Sequence, residues 1–382
     1  MSLTHPVLLA ALLLFPLLPQ HRVQLRLFLL GAFSLIVLGF SFKNGVEALI
    51  FGLWVAVPYI LSALNTKKSL IIISLIVGFI YLNGYTAGLT SLGFVQPGFR
   101  LIGLSYILFR QIDYLLNTRS EPISFRNGLW YFGYVTSFYA LLAGPIQRYS
   151  TFVTMMSGSE TDELPDQALQ RVVTGLVKVV VISALLKQQT DIAYEAITKA
   201  PLMFIVFALL NAVYVYFNFS GYMDVVLGAA KLAGMTLPEN FNKPWLAKDL
   251  VDFWSRWHMT LSSWLTDYVH NPILTILNRT ERIAIEQAQI VAIAVTFLLV
   301  GLWHGSTVNY VVYAILQAFG LGFNAWRNRR LIHRFGSRKL ANAYRNRRSI
   351  QMIERMVTLT YMVISFSFVG YDMLGMLLRV TS

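Results

Sequence analysis

The feature that most restricts this chain is a stretch with no Asp, Glu, Lys or Arg, Ala288–Trp326, 39 residues long. One bilayer crossing takes about 20 apolar residues. The stretch therefore suits two crossings joined at Trp303, His304, Gly305, Ser306 and Thr307. A histidine at such a break is informative, because an ionisable group at membrane depth is costly and usually marks chemistry or a transport path. The plainer alternative is a buried imidazole that bonds a neighbouring carbonyl and seals the turn. Gly305 and Ser306 fit either account, since irregular backbone at depth needs cover from protein or a watery cavity.

The remainder of the chain has the same character. It is 56% hydrophobic and only 13% charged, against about 25% charged for a soluble domain. The fold class that follows is an all-α polytopic membrane protein, organised as a single membrane-embedded domain over residues 1–382. Candidate spans are Leu27–Phe42, Val46–Leu64, Ser69–Thr86, Gly128–Ala143, Val172–Leu186, Leu202–Phe219, Ala288–Trp303, Val308–Trp326 and Met356–Leu378. Several are shorter than a full crossing, which predicts tilted or partial helices. Met1–Pro19 lacks a positive leader and a small-residue cleavage site, and reads as a short first membrane segment rather than a cleaved signal.

Three stretches do not read as simple spans. Ser150–Gln170 holds Glu160, Asp162, Glu163 and Asp166 and reads as an exposed loop. Residues 227–270 mix Pro, Asn and Trp with charge and read as an interfacial or re-entrant region. Residues 327–355 carry ten Lys/Arg against one acid, Glu354, which is +9 of the net +13. Set between spans, that segment reads as a cytoplasmic loop under the positive-inside rule, in contact with anionic lipid, rather than as a nucleic-acid arm. The C-terminus then lies on the extracytoplasmic side.

The chemistry open to the chain is narrow. With no cysteine there is no disulfide, thiolate metal site or acyl-cysteine. No His-x3-His, His-Glu-x-x-His, phosphate-binding Gly-rich loop or Gly-x-Ser-x-Gly elbow occurs, so no metal or ATP chemistry is expected. Of six histidines, His5, His21 and His333 read as solvated, and His270, two residues before Pro272, reads as a helix end. His258 is more interesting. Helical spacing puts Trp254, Trp257, His258, Leu261 and Leu265 on one stripe, opposite Asp252, Ser255, Arg256 and Ser263. An interfacial tryptophan anchor explains that stripe equally well. What remains is an imidazole that takes a proton near neutral pH inside a membrane cavity and returns it.

Four segments, in order, resemble the membrane-bound O-acyltransferase family. They are Gly103–Arg110 (GLSYILFR); Ala143–Arg148 (AGPIQR); Phe219–Asp224 (FSGYMD) with Leu237–Pro244 (LPENFNKP) and Phe253–His258 (FWSRWH); and Gly301–Gly305 (GLWHG). The resemblance implies a ring of tilted transmembrane helices around a central tunnel, in the bacterial cytoplasmic membrane. It implies that His304 is the catalytic base and His258 a second histidine on the tunnel wall. Trp303, Asn242, Arg256, Trp257 and Glu239 would shape the site. It also implies a donor thioester, acetyl-CoA or an acyl carrier protein, with no bound cofactor. The acceptor would be a hydroxyl of an envelope polysaccharide, reached directly or through a periplasmic acyltransferase partner.

FSGYMD is similar to the alginate-acetylating branch, and PENFNKPWLAKD and RWHMTLSSW are equally similar to the branch that D-alanylates teichoic acid. A straight helix over Val308–Trp326 would put His304 near the outer face, whereas the family places it deep. A rival reading from another class is a transporter or flippase with His258 and His304 as proton relay; repeated halves or a row of intramembrane carboxylates would favour it, but no repeat stands out and Asp113, Asp224 and Asp372 are scattered.

Overall fold

The computed structural model describes residues 23–82, 103–158, 165–279 and 283–381, except 41, 43, 120, 142 and 306. The apolar run Met1–Pro19, Ser306, the end of Ser69–Thr86 and the acids Glu160, Asp162 and Glu163 lie outside the described residues. Among those described there is no named strand, and five helices are long and apolar enough to cross a bilayer. The chain divides into two compact units, residues 1–180 with 221–238, and residues 181–220 with 239–382.

The first unit holds α1 (Val23–Gly39), α2 (Gly45–Ala63), α3 (Lys68–Leu82), α4 (Leu104–Asn117), α5 (Phe125–Val135) and α6 (Tyr149–Met156). To these it adds most of the first half of α7 (Pro165–Ala196) and the last part of α8 (Met203–Leu232). Its centre is polar. Arg110 on α4 is 1% exposed. Its Nη1 donates to the carbonyls of Tyr134, Val135 and Ser137 at 3.1–3.4 Å, satisfying the acceptors that the end of α5 leaves open. One turn on, Asp113 accepts from the Tyr134 hydroxyl at 2.8 Å, the Tyr149 amide at 2.7 Å and Arg148 at 3.3 Å. The helix that carries the 103–110 motif is thus tied to Arg148 of the 143–148 motif by an ion pair through Asp113. Gly103 begins α4 at φ +104°, and a Cβ there would lie 2.0 Å from the Leu141 carbonyl oxygen, so only glycine fits.

Several expectations require correction. Gly128–Ala143 is not a span. Its helix ends at Val135 after 11 residues, about 16 Å at 1.5 Å per residue, and a 3-10 turn follows at Phe138–Ala140. Ser150–Gln170 is not an exposed loop throughout, because α6 begins at Tyr149 and Asp166 sits in the first turn of α7. The segment read as Val172–Leu186 is the middle of a helix of 32 residues, and that read as Leu202–Phe219 covers the first part of one of 30.

Where α7 and α8 meet within the first unit, a Cβ on Gly175 would come within 2.6 Å of the Gly221 carbonyl oxygen. A Cβ on Gly221 would come within 2.6 Å of Lys178 Cβ. Small residues permit this close backbone approach. Asp224, one turn beyond Gly221, locks the crossing through Arg171 at 3.0 Å and Lys178 at 2.6 Å. Replacing Gly221 by Leu should cost about 1–3 kcal/mol by overpacking, read as a lower midpoint of thermal unfolding in detergent.

The second unit takes the end of α7, the start of α8 and everything after residue 239. Its helices are α9 (Leu250–Trp254), α10 (Met259–Leu265), α11 (Asn271–Arg279), α12 (Ile285–His304), α13 (Val308–Phe335), α14 (Arg338–Arg345), α15 (Arg348–Phe366) and α16 (Met373–Thr381). A π-helical segment, Thr266–His270, joins α10 to α11, so His270 does not end a helix.

The basic segment is mostly helical rather than a loop. α13 runs to Phe335, and Arg and Lys are good helix formers. Nor is Met356–Leu378 one helix: α15 stops at Phe366, and Gly370 turns the chain at φ +85°. Asp372 then accepts from the Gly375 amide at 3.1 Å and from Asn309 Nδ2 at 2.9 Å. The start of α16 is thereby capped and tied to the start of α13.

Candidate active site

The stripe expected on one helix from Asp252 to Leu265 is broken. Asp249 caps α9, its Oδ1 accepting from the Asp252 amide at 2.9 Å. The helix ends at Trp254, and the chain turns before α10 starts at Met259. The break is held from upstream. The Asn242 amide donates to the Arg256 carbonyl at 2.9 Å, and the Met259 amide donates to the Asn240 carbonyl at 3.1 Å. Fully buried Asn240 also receives the Thr260 amide at 3.0 Å and the Thr260 hydroxyl at 2.7 Å on its Oδ1.

Between these bonds His258 sits at φ +45°, ψ +50°. That left-handed conformation costs a residue with a side chain about 1–2 kcal/mol and persists only where the surroundings over-determine it. The imidazole is buried, edge-on to Phe219 at 4.8 Å and 6.5 Å from the Trp303 ring.

His304 is the last residue of α12, and the Gly305 amide closes that helix on the Gly301 carbonyl at 3.2 Å. Its ring stacks on Tyr310 at 5.7 Å and 16° and meets Tyr313 edge-on at 5.8 Å. Gly305 makes this possible, because a Cβ there would fall 2.6 Å from the Tyr310 ring. Trp303 lies 4.6 Å from the His304 ring, so its indole neighbours both imidazoles. Unlike His258, His304 is exposed rather than buried.

The two histidines line one cavity of about 680 Å³ within the second unit. One wall is a single face of α12: Gln289, Ile293, Thr296, Phe297, Val300 and His304. That face covers 16 residues, about 24 Å at 1.5 Å per residue. The far end is polar, with Asp267, His270, Asn271 and Gln289. It lies beside the basic end of α13, since Arg329 bonds Gln289 at 2.6 Å and pairs with Glu286 at 3.1 Å. The opposite wall carries Ser262, Ser263 and Thr266, and the π-helical segment begins at Thr266. Such segments often occur at functional sites.

Of the sequence candidates, His258, His304 and Trp257 line this cavity. Trp303 packs beside the two imidazoles without being part of the lining. Arg256 instead pairs with Asp252 at 2.7 Å and lines a separate polar pocket with Lys248 and Arg345. Asn242 and Glu239 are exposed and are not among the residues lining the cavity. Their backbone region braces the His258 turn, which proximity in sequence could not distinguish from lining it.

Two residues went unmarked by sequence reasoning. Asn240 bonds the His258 turn. Gln317, fully buried on α13, accepts from Trp254 Nε1 at 3.1 Å and donates to the Ser365 hydroxyl at 2.5 Å, tying α9 to α13 and α15. The Pro-Glu-Asn-Phe-Asn spacing before a Trp-rich segment was the available signal for Asn240. Nothing in the sequence singled out Gln317. No group of three or more metal-ligating side chains occurs among the described residues.

Electrostatics bear on the same turn. Partial burial raises the Asp252 carboxyl, but the Lys248 amide and the Arg256 guanidinium outweigh it and hold the group below the usual carboxylate range. Asp252 therefore stabilises the folded state above its unfolded value of about 3.9, and the contribution is lost as pH falls through the lower folded value. Asp252→Asn should reduce stability at neutral pH, and its difference from wild type should fade in unfolding curves taken at progressively more acid pH. Asn240→Ala removes the acceptor of two Thr260 hydrogen bonds and should cost about 1–3 kcal/mol, measured by thermal unfolding in detergent.

The sequence matches the family described as MBOAT, membrane-bound O-acyltransferase, over residues 101–364, more than half the chain. It is similar to the probable alginate O-acetylase of Pseudomonas syringae pv. tomato, 30% identical over 56% of this chain and 40% of that protein. It resembles the teichoic acid D-alanyltransferase of Bacillus subtilis at 28% identity, over 57% of each. It also resembles the peptidoglycan O-acetyltransferase of Helicobacter pylori at 31% identity, over 54% of this chain and 39% of that protein. The chain thus spans about half the length of the curated relatives it matches.

Proposed function

The chain belongs to the membrane-bound O-acyltransferase family, and from that premise we propose that it moves a short acyl group, acetyl first, from a thioester donor to a hydroxyl of an extracytoplasmic envelope polysaccharide. The observation that carries this reading is the shared cavity: an accessible His304 and a buried His258 at one end of a channel that follows the α12 face for 16 residues. Its other end sits beside the basic end of α13, the side that the positive-inside rule assigns to the cytoplasm. A long, thin donor such as acetyl-CoA or an acyl carrier protein thioester fits a bore of that form.

In the reaction His304 takes the proton of the acceptor hydroxyl, and the oxygen attacks the thioester carbonyl. The tetrahedral intermediate collapses with cleavage of the C–S bond, and the imidazolium returns the proton to the leaving thiolate. Ester and thiol are the products, and no net proton is consumed. His258 orients the acyl group or its developing charge, and Trp303 packs against both rings. Direct transfer and relay through a periplasmic partner share this step.

The family and the cavity support this reading over a flippase. Each of the carboxylates a proton relay would need is engaged elsewhere: Asp113 with Arg148, Asp224 with Arg171 and Lys178, and Asp372 with Asn309. D-alanyl transfer to a teichoic-acid-like polymer is the second reading. It is favoured by the greater share of that relative's length that the chain matches.

We place the protein in the bacterial cytoplasmic membrane. α15, at 19 residues, carries Arg348, Glu354 and Arg355 in its first half and is not among the five helices apolar enough to cross, so the orientation rests on the basic segment, which the positive-inside rule assigns to the cytoplasm. His304→Ala should lower acyl transfer by at least about a hundredfold while the protein still accumulates in the membrane. Mass spectrometry of the envelope polymer, from cells with wild type or variant, reads both the loss and the identity of the group moved. Unchanged polymer modification in the variant ends the proposal.

A further inference from the structure

The histidine cavity leaves a second built feature of the second unit unused. A groove of about 270 Å³ runs between α13 and α15. Its apolar part is lined by Phe319, Phe323 and Val357, which are 66%, 51% and 62% exposed. Its head holds Asn324 and Arg327. Asn324 is only 5% exposed, yet its Nδ2 has no hydrogen-bond partner, and Arg327 Nε is likewise buried and unpartnered. Buried donors without acceptors are costly and uncommon, and here two of them head one groove.

The position along the helix says what would satisfy them. α13 begins at Val308, and Phe319 and Phe323 lie about 17 and 23 Å along it, at hydrocarbon depth. Arg327, the first charge after the apolar stretch, lies about 29 Å along, at the level of lipid headgroups. The aromatic Trp326 sits at the same level, with Arg330 stacked over it at 5.3 Å, the pairing of amphipathic rings and cations found at membrane interfaces. The carboxylate of Glu354 answers part of the local charge, pairing with Arg327 at 3.1 Å and Arg345 at 3.2 Å. Arg330, Arg334, Arg338, Lys339, Arg347 and Arg348 nearby are exposed, so the segment stays strongly cationic.

We propose that this groove binds one anionic phospholipid, its phosphate oxygens accepting from Asn324 Nδ2 and Arg327 Nε and an acyl chain lying along Phe319, Phe323 and Val357. The groove also includes Asp249, whose Oδ2 takes Arg345 at 2.5 Å while its Oδ1 caps α9. A lipid seated there braces the helix that leads to His258. The site stands independently of the acyl transfer proposed above, and its test reads binding rather than turnover.

Protein purified in detergent is titrated with phosphatidylglycerol or with phosphatidylcholine of the same chains, and followed by native mass spectrometry and by thermal unfolding. The expected result is one phosphatidylglycerol retained per chain and a melting temperature that rises with that lipid alone. Retention should fall at least tenfold in the double variant Asn324→Leu/Arg327→Gln. It should fall equally in Val357→Trp, which fills the groove from its exposed side and leaves both donors in place. If the double variant does not fold, Val357→Trp alone decides. Equal retention of the two lipids overturns the proposal, as does undiminished phosphatidylglycerol binding in either folded variant.

Discussion

A backbone break in apolar surroundings must satisfy its own amides and carbonyls, because no water is at hand to do so. Two of the helix breaks in the second unit, at Ser255–His258 and at Gly305, each present a histidine. At Ser255–His258 the missing helical bonds are replaced by partners on Asn240 and Asn242. At Gly305 the replacement is a close stack, the Tyr310 ring occupying the space a side chain would have taken. The cavity between the two imidazoles depends on both repairs. Without Asn240 the turn at the left-handed His258 loses its bonds to Met259 and Thr260, and without Gly305 the ring that supports His304 cannot approach.

Much of this was visible in the residues. A lone histidine interrupting 39 uncharged residues marks a helical break, and α12 does end on His304. The conformation of His258 was not visible. Trp254, Trp257, Leu261 and Leu265 repeat with helical spacing, and the competing bonds come from Asn240 and Asn242, 14 to 20 residues upstream. The helix bounds were partly hidden for a similar reason. Charge places the basic segment at a membrane surface but does not say whether it is coiled, and α13 continues through it to Phe335. Likewise 128–143 is apolar enough for a span, yet its middle is turned inward by Arg110 bonding the end of α5.

The charged groups within the apolar helices divide into two kinds. Arg110, Asp113 and Asp224 are consumed by the architecture, each with partners on a neighbouring element of the first unit. The cavity is faced by His258, His304 and Tyr313 at one end and by Asp267 and His270 at the other. The scatter of carboxylates along the sequence speaks against a proton relay, and the pairing of Asp113 and Asp224 within the first unit agrees with that. The apolar middle between the two ends, Ile293, Phe297 and Val300 among its walls, suits passage of an uncharged arm rather than an ion.

The central claim is that a thioester arm lies along the α12 face with its carbonyl beside His304. Its most direct test is a structure by electron cryomicroscopy with a non-hydrolysable thioether analogue of the donor bound. The account predicts density entering near Gln289, passing Ile293, Phe297 and Val300, and ending against the two imidazoles. Density seated outside this cavity, with the His304 ring turned toward lipid, would contradict it.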